Sequence, residues 1–224
     1  MIYSLFPIKK RCGGKYRKYT EILQRRHPNL KLLVRSVGVI KHEVPIWDSI
    51  SDAALYAVIG QMLSMSATKS IITRLINKFG SSDKVIDWAV RTQRQQGPLM
   101  GVPQRKRRAL SEWNSFIKKF RVKESFLKKC SVDEYRSVIS GVWGFGKWSA
   151  DMIGIFYLGR MDIWPDSDGG VMKLSQLILG LDKKTIMRRI SGCETVTAIY
   201  IWEFLNRKLD WGNVIKTQKA PNSA

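Results

Sequence analysis

The sequence has 224 residues, 44% of them hydrophobic, which suits one sizeable domain or two small lobes and excludes a disordered chain. Lys and Arg number 39 against 18 Asp and Glu, a formal net charge of +21 that favours a polyanionic partner, usually nucleic acid. Charge alone does not choose between DNA, RNA and an anionic membrane surface.

The three cysteines, Cys12, Cys130 and Cys193, are far apart in the sequence and odd in number. They predict neither a zinc nor an iron–sulfur ligand set, and free thiols in a reducing cytoplasm are the simplest interpretation. The apolar start before Lys9 is too short for a signal sequence, and no stretch is long and uncharged enough to span a bilayer. We therefore expect a soluble intracellular protein of the cytoplasm or nucleoid.

The basic residues 1–19 predict a loosely ordered N-terminal arm or a short first helix. Helical spacing follows over 20–26, and a weak apolar stretch over 30–40 is broken by Pro45. Both histidines, His27 and His42, lie in this part of the chain, and we interpret them as structural or surface residues.

From residue 47 the helical pattern is strong. Asp48 or Ser51 is predicted to cap one helix and Ser66 the next, which Gly80 then ends. Residues 103–120 predict a helix with an apolar face and an opposite, basic face formed by Lys106, Arg107, Lys118 and Lys119.

Ser131 is predicted to cap the helix that follows. No alternating strand pattern and no repeat is found, so the predicted fold class is all-α. The remaining helices are predicted near 85–90, 147–158, 170–179, 182–190 and 194–207.

A glycine turn lies between two of these helices, in the stretch Ile-Ser-Gly-Val-Trp-Gly-Phe-Gly-Lys-Trp-Ser-Ala-Asp over 139–151. Gly144 and Gly146 accept positive φ and let a ligand approach the backbone. The turn leads into a helix N-terminus, where amide groups and the helix dipole favour an anion such as a DNA phosphate. An ordinary helix–helix turn that needs glycine for packing is the alternative.

Two carboxylates follow in the stretch Trp-Pro-Asp-Ser-Asp over 164–168, at a helix start introduced by Pro165. Asp166 or Asp168 is an anionic group suited to a place beside a reacting sugar. Simple helix capping explains an aspartate at this position equally well.

The glycine turn, the Leu-Gly-Arg element at 158–160 and the aspartate segment together resemble the 3-methyladenine DNA glycosylase II family of the helix-hairpin-helix superfamily. Residues 59–67 resemble that family's I-x-G-Q-x-x-S-x-x-A segment, and residues 100–106 its G-x-x-x-x-K-A element. Residues 198–202 resemble its last, aromatic-rich helix, so the resemblance spans about residues 20–206.

The resemblance implies a two-lobed helical fold with an active-site cleft between the lobes. It implies a glycosylase domain over 20–206, with central helices over about 48–130 and the hairpin and catalytic segment over about 131–175. Residues 207–224 are predicted to be a polar C-terminal tail.

By position, the resemblance implies that Asp168 is the catalytic carboxylate, with Asp166 as its rival. It implies further roles in three groups: DNA-backbone binding by Gly144, Gly146 and Lys147; a base pocket lined by Trp148, Met152 and Trp202; and a wedge formed by Gln61 and Met62. Core packing remains the alternative for Met62 and for each of the pocket residues.

The implied activity is hydrolysis of the N-glycosidic bond of a damaged or modified base in duplex DNA, with an alkylated purine such as 3-methyladenine as the first candidate. Trp148 stands where bifunctional relatives carry a lysine nucleophile, so a monofunctional enzyme without lyase activity is expected. The protein is also expected to be a monomer. No cofactor and no iron–sulfur cluster are expected, although the hairpin backbone over 141–146 suits a structural monovalent ion. A glycosylase for a uracil or thymine mismatch, or for an oxidised or hypermodified base, and a non-catalytic DNA-binding protein remain open.

Overall fold

The structure is a computed structural model that describes residues 16–40, 44–120, 124–180 and 182–219. These residues form thirteen helices and no strand beyond one isolated bridge between Leu99 and Val102, which confirms the all-α class. The helices are α1 Arg17–Arg26, α2 Pro28–Val37, α3 Ile50–Gly60, α4 Met65–Phe79, α5 Ser82–Thr92, α6 Gln104–Phe120, α7 Glu124–Lys129, α8 Val132–Ser140, α9 Lys147–Phe156, α10 Gly169–Leu179, α11 Lys183–Ile190, α12 Glu194–Asn206 and α13 Trp211–Lys219.

The described residues fall into two compact units. Unit 1 comprises the described residues before 44 and those from 164 onward, and unit 2 is the continuous segment 44–163. The first fifteen residues, which include most of the predicted basic arm, lie outside the described part of the chain, as does His42.

Unit 2 is built around α3, which packs against α4, α5, α6 and α9. Six of the eleven residues of α3 are buried, because the helix has neighbours on several sides and is apolar almost all round. Leu55, Val58 and Ile59 of this helix are fully buried. Its C-terminal end at Gly60 therefore has a fixed place in the core of unit 2.

The caps of α3 and α4 differ from those predicted. Ser49, rather than Asp48 or Ser51, caps α3, because its extended backbone lets its hydroxyl accept a hydrogen bond from the Asp52 amide at 3.0 Å. Ser64, rather than Ser66, caps α4 through the amide of Ala67, and Ser66 lies inside the first turn. The predicted end of α4 at Gly80 and the predicted N-cap of α8 at Ser131 are confirmed.

The predicted basic face of α6 is wrong at Arg107, which is fully buried. Its guanidinium donates hydrogen bonds to the carbonyl oxygens of Thr92, Gln95, Gly97 and Val102. A buried cation requires such partners, and here they fix the connection between α5 and α6.

Unit 1 is built around α12, which packs against α1, α2, α10 and α11 and is buried along most of its length. The segment predicted to be a polar tail contains α13, whose Trp211 is buried and packs edge-on against Phe204. His27 has a structural role here, since its Nδ1 accepts a hydrogen bond from the Asn29 amide and caps α2.

Along the described residues, none of the helices combines the length and the apolar character that a membrane crossing needs.

Candidate functional site

The turn between α8 and α9 is held against α6 by Gly144. Its φ is +85°, and a Cβ added to it would lie 2.5 Å from the Cβ of Ala109. Both the backbone angle and the close approach require glycine at this position. The alternative of a turn that needs glycine for packing is therefore supported at Gly144, and the predicted contact of this residue with the DNA backbone stays a prediction.

Gly146 does not adopt the positive φ expected from the sequence, since its φ is −99°. It is the N-cap of α9 with an extended backbone, and a Cβ added to it would meet nothing within 4 Å. Glycine offers the first amides of α9 no side-chain acceptor, so the start of this helix has the character of an anion-binding site. Lys147, the first residue of α9, is half-buried beside it.

Gln61 braces the hairpin from the C-terminal end of α3. Its Nε2 donates to the carbonyl oxygen of Gly144 and to Oγ of Ser149, both at 2.8 Å. The carboxamide thus ties the loop after α3 to the glycine turn and to the first turn of α9. The sequence placed Gln61 in the wedge, and this bracing contact was not foreseen.

Lys106 supports the same loop from α6. Its Nζ donates to the carbonyl oxygens of Ile59 at 2.7 Å and Gln61 at 3.0 Å, where the end of α3 favours a cation. Burial lowers the pKa of this ammonium group. A residue predicted to lie on the basic face of α6 therefore helps to hold the loop from which Gln61 contacts the hairpin.

Met62 is fully exposed and has a φ of +57°, which non-glycine residues rarely adopt. The alternative of a buried core methionine is therefore wrong. An exposed apolar side chain on a turn that is fixed by Gln61 and Lys106 has the properties of a wedge, a role that stays a prediction.

Trp148 and Met152 lie one turn apart on α9. The indole of Trp148 is half-buried, and its Cη2 atom would lie 3.3 Å from a Cβ at Gly60, so this glycine makes room for the ring. Met152 is buried in unit 2, and Trp202 is buried on α12 of unit 1. Their predicted role in a base pocket remains a prediction.

Asp168 is the N-cap of α10 in unit 1. Its Oδ1 accepts a hydrogen bond from the Val171 amide at 2.9 Å, so an amide donor and the positive end of the helix dipole both face the carboxylate. Of the two glycines that follow, only Gly170 lies close to the carboxylate: a Cβ added to it would lie 3.3 Å from Oδ1, whereas one at Gly169 would meet nothing within 4 Å.

Asp166 forms an ion pair with Lys183. Its Oδ2 lies 2.6 Å from Nζ of Lys183, and its side chain is only 11% exposed. The two aspartates of the segment therefore differ in surroundings: the lysine neutralises Asp166, and the helix N-terminus supports Asp168. The contact with Lys183 gives Asp166 a structural role, and the catalytic role of Asp168 stays a prediction.

The buried groups that lock α8 to α9 were not predicted from the sequence. Arg136 of α8 pairs with Oδ1 of the fully buried Asp151 of α9 at 2.7 Å. The Tyr135 hydroxyl donates to the carbonyl oxygen of Ala150 at 2.6 Å, and burial raises the pKa of this phenol. The signal available was a single acidic residue inside an otherwise apolar helix, a pattern typical of a buried ion pair.

The hairpin backbone can be tested for an ion. The carbonyl oxygens of Val142, Gly144 and Gly146 each accept one hydrogen bond within the protein, which leaves each a second lone pair. These oxygens could contact a monovalent ion, whose binding at the hairpin stays a prediction. Among the residues that the structure describes, no group of three or more His, Cys, Asp or Glu side chains could hold a metal.

No protein-family model matches the chain. In sequence, the chain is similar to the alkylbase DNA glycosidase-like protein mag2 of Schizosaccharomyces pombe, with 25% identity over 172 residues. The similarity covers 70% of this chain and 79% of mag2.

Solved DNA glycosylases share the fold. A DNA-3-methyladenine glycosidase from Bacillus halodurans matches with a TM-score of 0.68 and 18% identity, over 89% of this chain and 95% of its own. An S. pombe 3-methyladenine DNA glycosylase in complex with abasic DNA also matches with a TM-score of 0.68, at 20% identity over 84% and 97%. The 8-oxoguanine glycosylase/lyase of Clostridium acetobutylicum, bound to double-stranded DNA, matches with the same TM-score at 16% identity over 87% and 72%.

Proposed function

Since the chain has the fold of the helix-hairpin-helix DNA glycosylases, we propose that it hydrolyses the N-glycosidic bond of a damaged or modified base in duplex DNA, as a step of base excision repair. The sequence similarity to mag2, whose name describes an alkylbase glycosidase-like protein, supports an alkylated base as the first substrate class. We propose that the protein acts as a monomer.

The observation that carries this proposal is the setting of Asp168. Cleavage of the bond between the sugar and the base builds positive charge on the sugar, as in other glycoside hydrolyses. The carboxylate held at the N-terminus of α10 would stabilise that charge and orient the attacking water. An alkylated purine carries a positive charge itself, so it leaves without a strong general acid and a single carboxylate suffices.

Binding of DNA would rest on the hairpin and on Met62. The amides at the start of α9 would bind a phosphate of the strand that carries the lesion, and the exposed thioether would fill the gap left by the extruded nucleotide. The net charge of +21 supports strong attraction to the backbone. Trp148 and Met152 of unit 2 would contact the extruded base, and the same role for Trp202 of unit 1 stays a prediction.

We propose that the enzyme lacks lyase activity. Schiff-base chemistry needs an amine that reaches the sugar, and Trp148 occupies the position where the resemblance places that lysine. Lys147 is adjacent, but one residue along a helix turns the side chain by about 100°. One of the structures with this fold is a glycosylase/lyase, so the two activities need separate assays.

The test is base release from duplexes that each carry one lesion: an alkylated purine, uracil, a mismatched thymine, an oxidised purine or a hypermodified base. Product strands are separated before and after treatment with alkali. We expect cleavage at the alkylated purine only after alkali, because the enzyme leaves an intact abasic strand. Strand breaks without alkali would contradict the absence of lyase activity, and no release from any substrate would favour a non-catalytic DNA-binding protein.

Replacement of Met62 tests the wedge. We expect Met62→Ala to leave the free energy of unfolding within about 0.5 kcal/mol of wild type, because an exposed side chain makes few contacts. Base release under single-turnover conditions should fall about tenfold, since extrusion of a nucleotide costs a few kcal/mol that the wedge offsets in part. Leu63→Ala, in the same exposed turn, is the control. Equal rates for wild type and Met62→Ala would contradict the wedge role.

A further inference from the structure

Trp143 is an exposed tryptophan in the glycine turn. Its neighbours Val142 and Phe145 are buried, and Gly144 packs against Ala109, whereas Trp143 itself is 40% exposed. The turn therefore holds its other apolar side chains in the core of unit 2 and presents one large ring at the surface that carries the proposed anion site.

Arg108 covers that ring. It precedes Ala109 on α6, and its guanidinium carbon lies 4.1 Å from the centroid of the Trp143 ring. Two consecutive residues of α6 thus contact two consecutive residues of the hairpin. The Arg108 side chain is still 53% exposed, and its nearest carboxylate, Glu112, is 3.8 Å away, beyond hydrogen-bond distance.

Stacking fixes a guanidinium without consuming its donors. The attraction to an aromatic ring acts through the flat face of the group, whereas its N–H bonds point outward in its plane. The fork of donors matches two oxygens of a phosphate. Because Trp143 restricts the motion of the side chain, less conformational entropy is lost when a ligand binds to Arg108.

We propose that Arg108 binds a DNA phosphate beside the one held by the amides at the start of α9, and that Trp143 is a positioning residue for its guanidinium. The inference rests on the DNA binding proposed above and concerns affinity for the backbone, not base release. A phosphate is the ligand because a strand gripped at the hairpin presents further phosphates on either side of the first.

The test is the dissociation constant for an undamaged duplex, measured by fluorescence anisotropy at several salt concentrations. We expect Arg108→Gln to weaken binding about tenfold near 0.1 M salt and to reduce the salt slope by about 0.9, the effect of one phosphate contact. Lys84→Gln, which removes an exposed cation from α5, is the matched control and should change affinity less than about twofold. Equal effects of the two variants would overturn the proposal.

The positioning role of Trp143 has its own readout. We expect Trp143→Ala to weaken binding about threefold, Trp143→Phe to restore most of the affinity, and Trp143→Ala to have no further effect once Arg108 is already glutamine. Circular dichroism and thermal unfolding check that each variant folds. A loss of affinity for Trp143→Ala in the Arg108→Gln background would show a direct contact of the ring with DNA and overturn the positioning role.

The two proposals fail separately. If wild type releases a base while Arg108→Gln binds as Lys84→Gln does, the phosphate site is wrong and the glycosylase stands. If Arg108→Gln weakens binding as expected but no substrate yields a free base, the phosphate site stands and the glycosylase is wrong.

Discussion

The Asp168→Asn variant is expected to bind duplex DNA with at least wild-type affinity and to release base at least about 100-fold more slowly. The substitution removes the negative charge that would stabilise the sugar in the transition state. It keeps the fold, because asparagine caps a helix about as well as aspartate and its side-chain oxygen can accept the Val171 hydrogen bond. Single-turnover base release and anisotropy on the same duplex measure the two effects.

Asp166→Asn is the matched control. It weakens the pair with Lys183 but leaves Asp168 at the start of α10, so base release should stay within a few-fold of wild type. Asp168→Ala is less informative, since loss of the cap costs about 1 kcal/mol of stability as well. Slow release by Asp166→Asn together with normal release by Asp168→Asn would transfer the catalytic role to the rival aspartate.

The Gly144→Ala variant is expected to lower the free energy of unfolding by roughly 2–4 kcal/mol. Alanine is strained at a φ of +85°, and its Cβ would lie 2.5 Å from the Cβ of Ala109, a contact that forces α6 and the hairpin apart. Since the turn carries the amides at the start of α9 and the Arg108–Trp143 stack, DNA affinity should fall as well. Urea unfolding and anisotropy provide the measurements.

Gly146→Ala separates stability from binding. The added Cβ meets no atom within 4 Å and φ is −99°, so we expect a stability loss of no more than about 1 kcal/mol, from the poorer cap. Affinity for DNA should nevertheless fall several-fold, because the methyl group obstructs the approach of a phosphate to the backbone. Wild-type affinity in this variant would argue against phosphate binding at the start of α9.

Much of the fold was predictable from local signals. The helices of the hairpin and of the aspartate segment appear where apolar spacing placed them, and Gly80 and Ser131 end and begin helices as expected. The prediction of caps was wrong for α3 and α4 because several hydroxyl and carboxylate groups lie close together at each helix start. Backbone conformation, which the sequence does not reveal, decides which of them reaches an amide.

The contacts that position the candidate site could not be predicted because their partners are distant in the sequence. Gln61 reaches Gly144 across 83 positions, and Lys106 reaches the end of α3 across more than 40. Arg107 lies in a basic run with the exposed Arg105 and Arg108, and only the course of the chain between α5 and α6 explains its burial. The motif predicted an aspartate at the start of α10, whereas the ion pair of Asp166 with Lys183 could not be predicted, because it joins residues 17 positions apart.

The connectivity of unit 2 affects how the sequence of this protein can vary in evolution. Its two ends meet, since the amide of Ile46 bonds to the carbonyl of Phe156 at 2.8 Å and Gly159 lies against Pro45. Unit 2 is therefore a single insertion in the sequence of unit 1. One uninterrupted stretch encodes it, and that stretch contains Met62, Arg108 and the glycine turn. Asp168 is encoded outside that stretch, so the residues proposed to bind DNA and the residue proposed to act in cleavage can be varied, or exchanged between related proteins, one at a time.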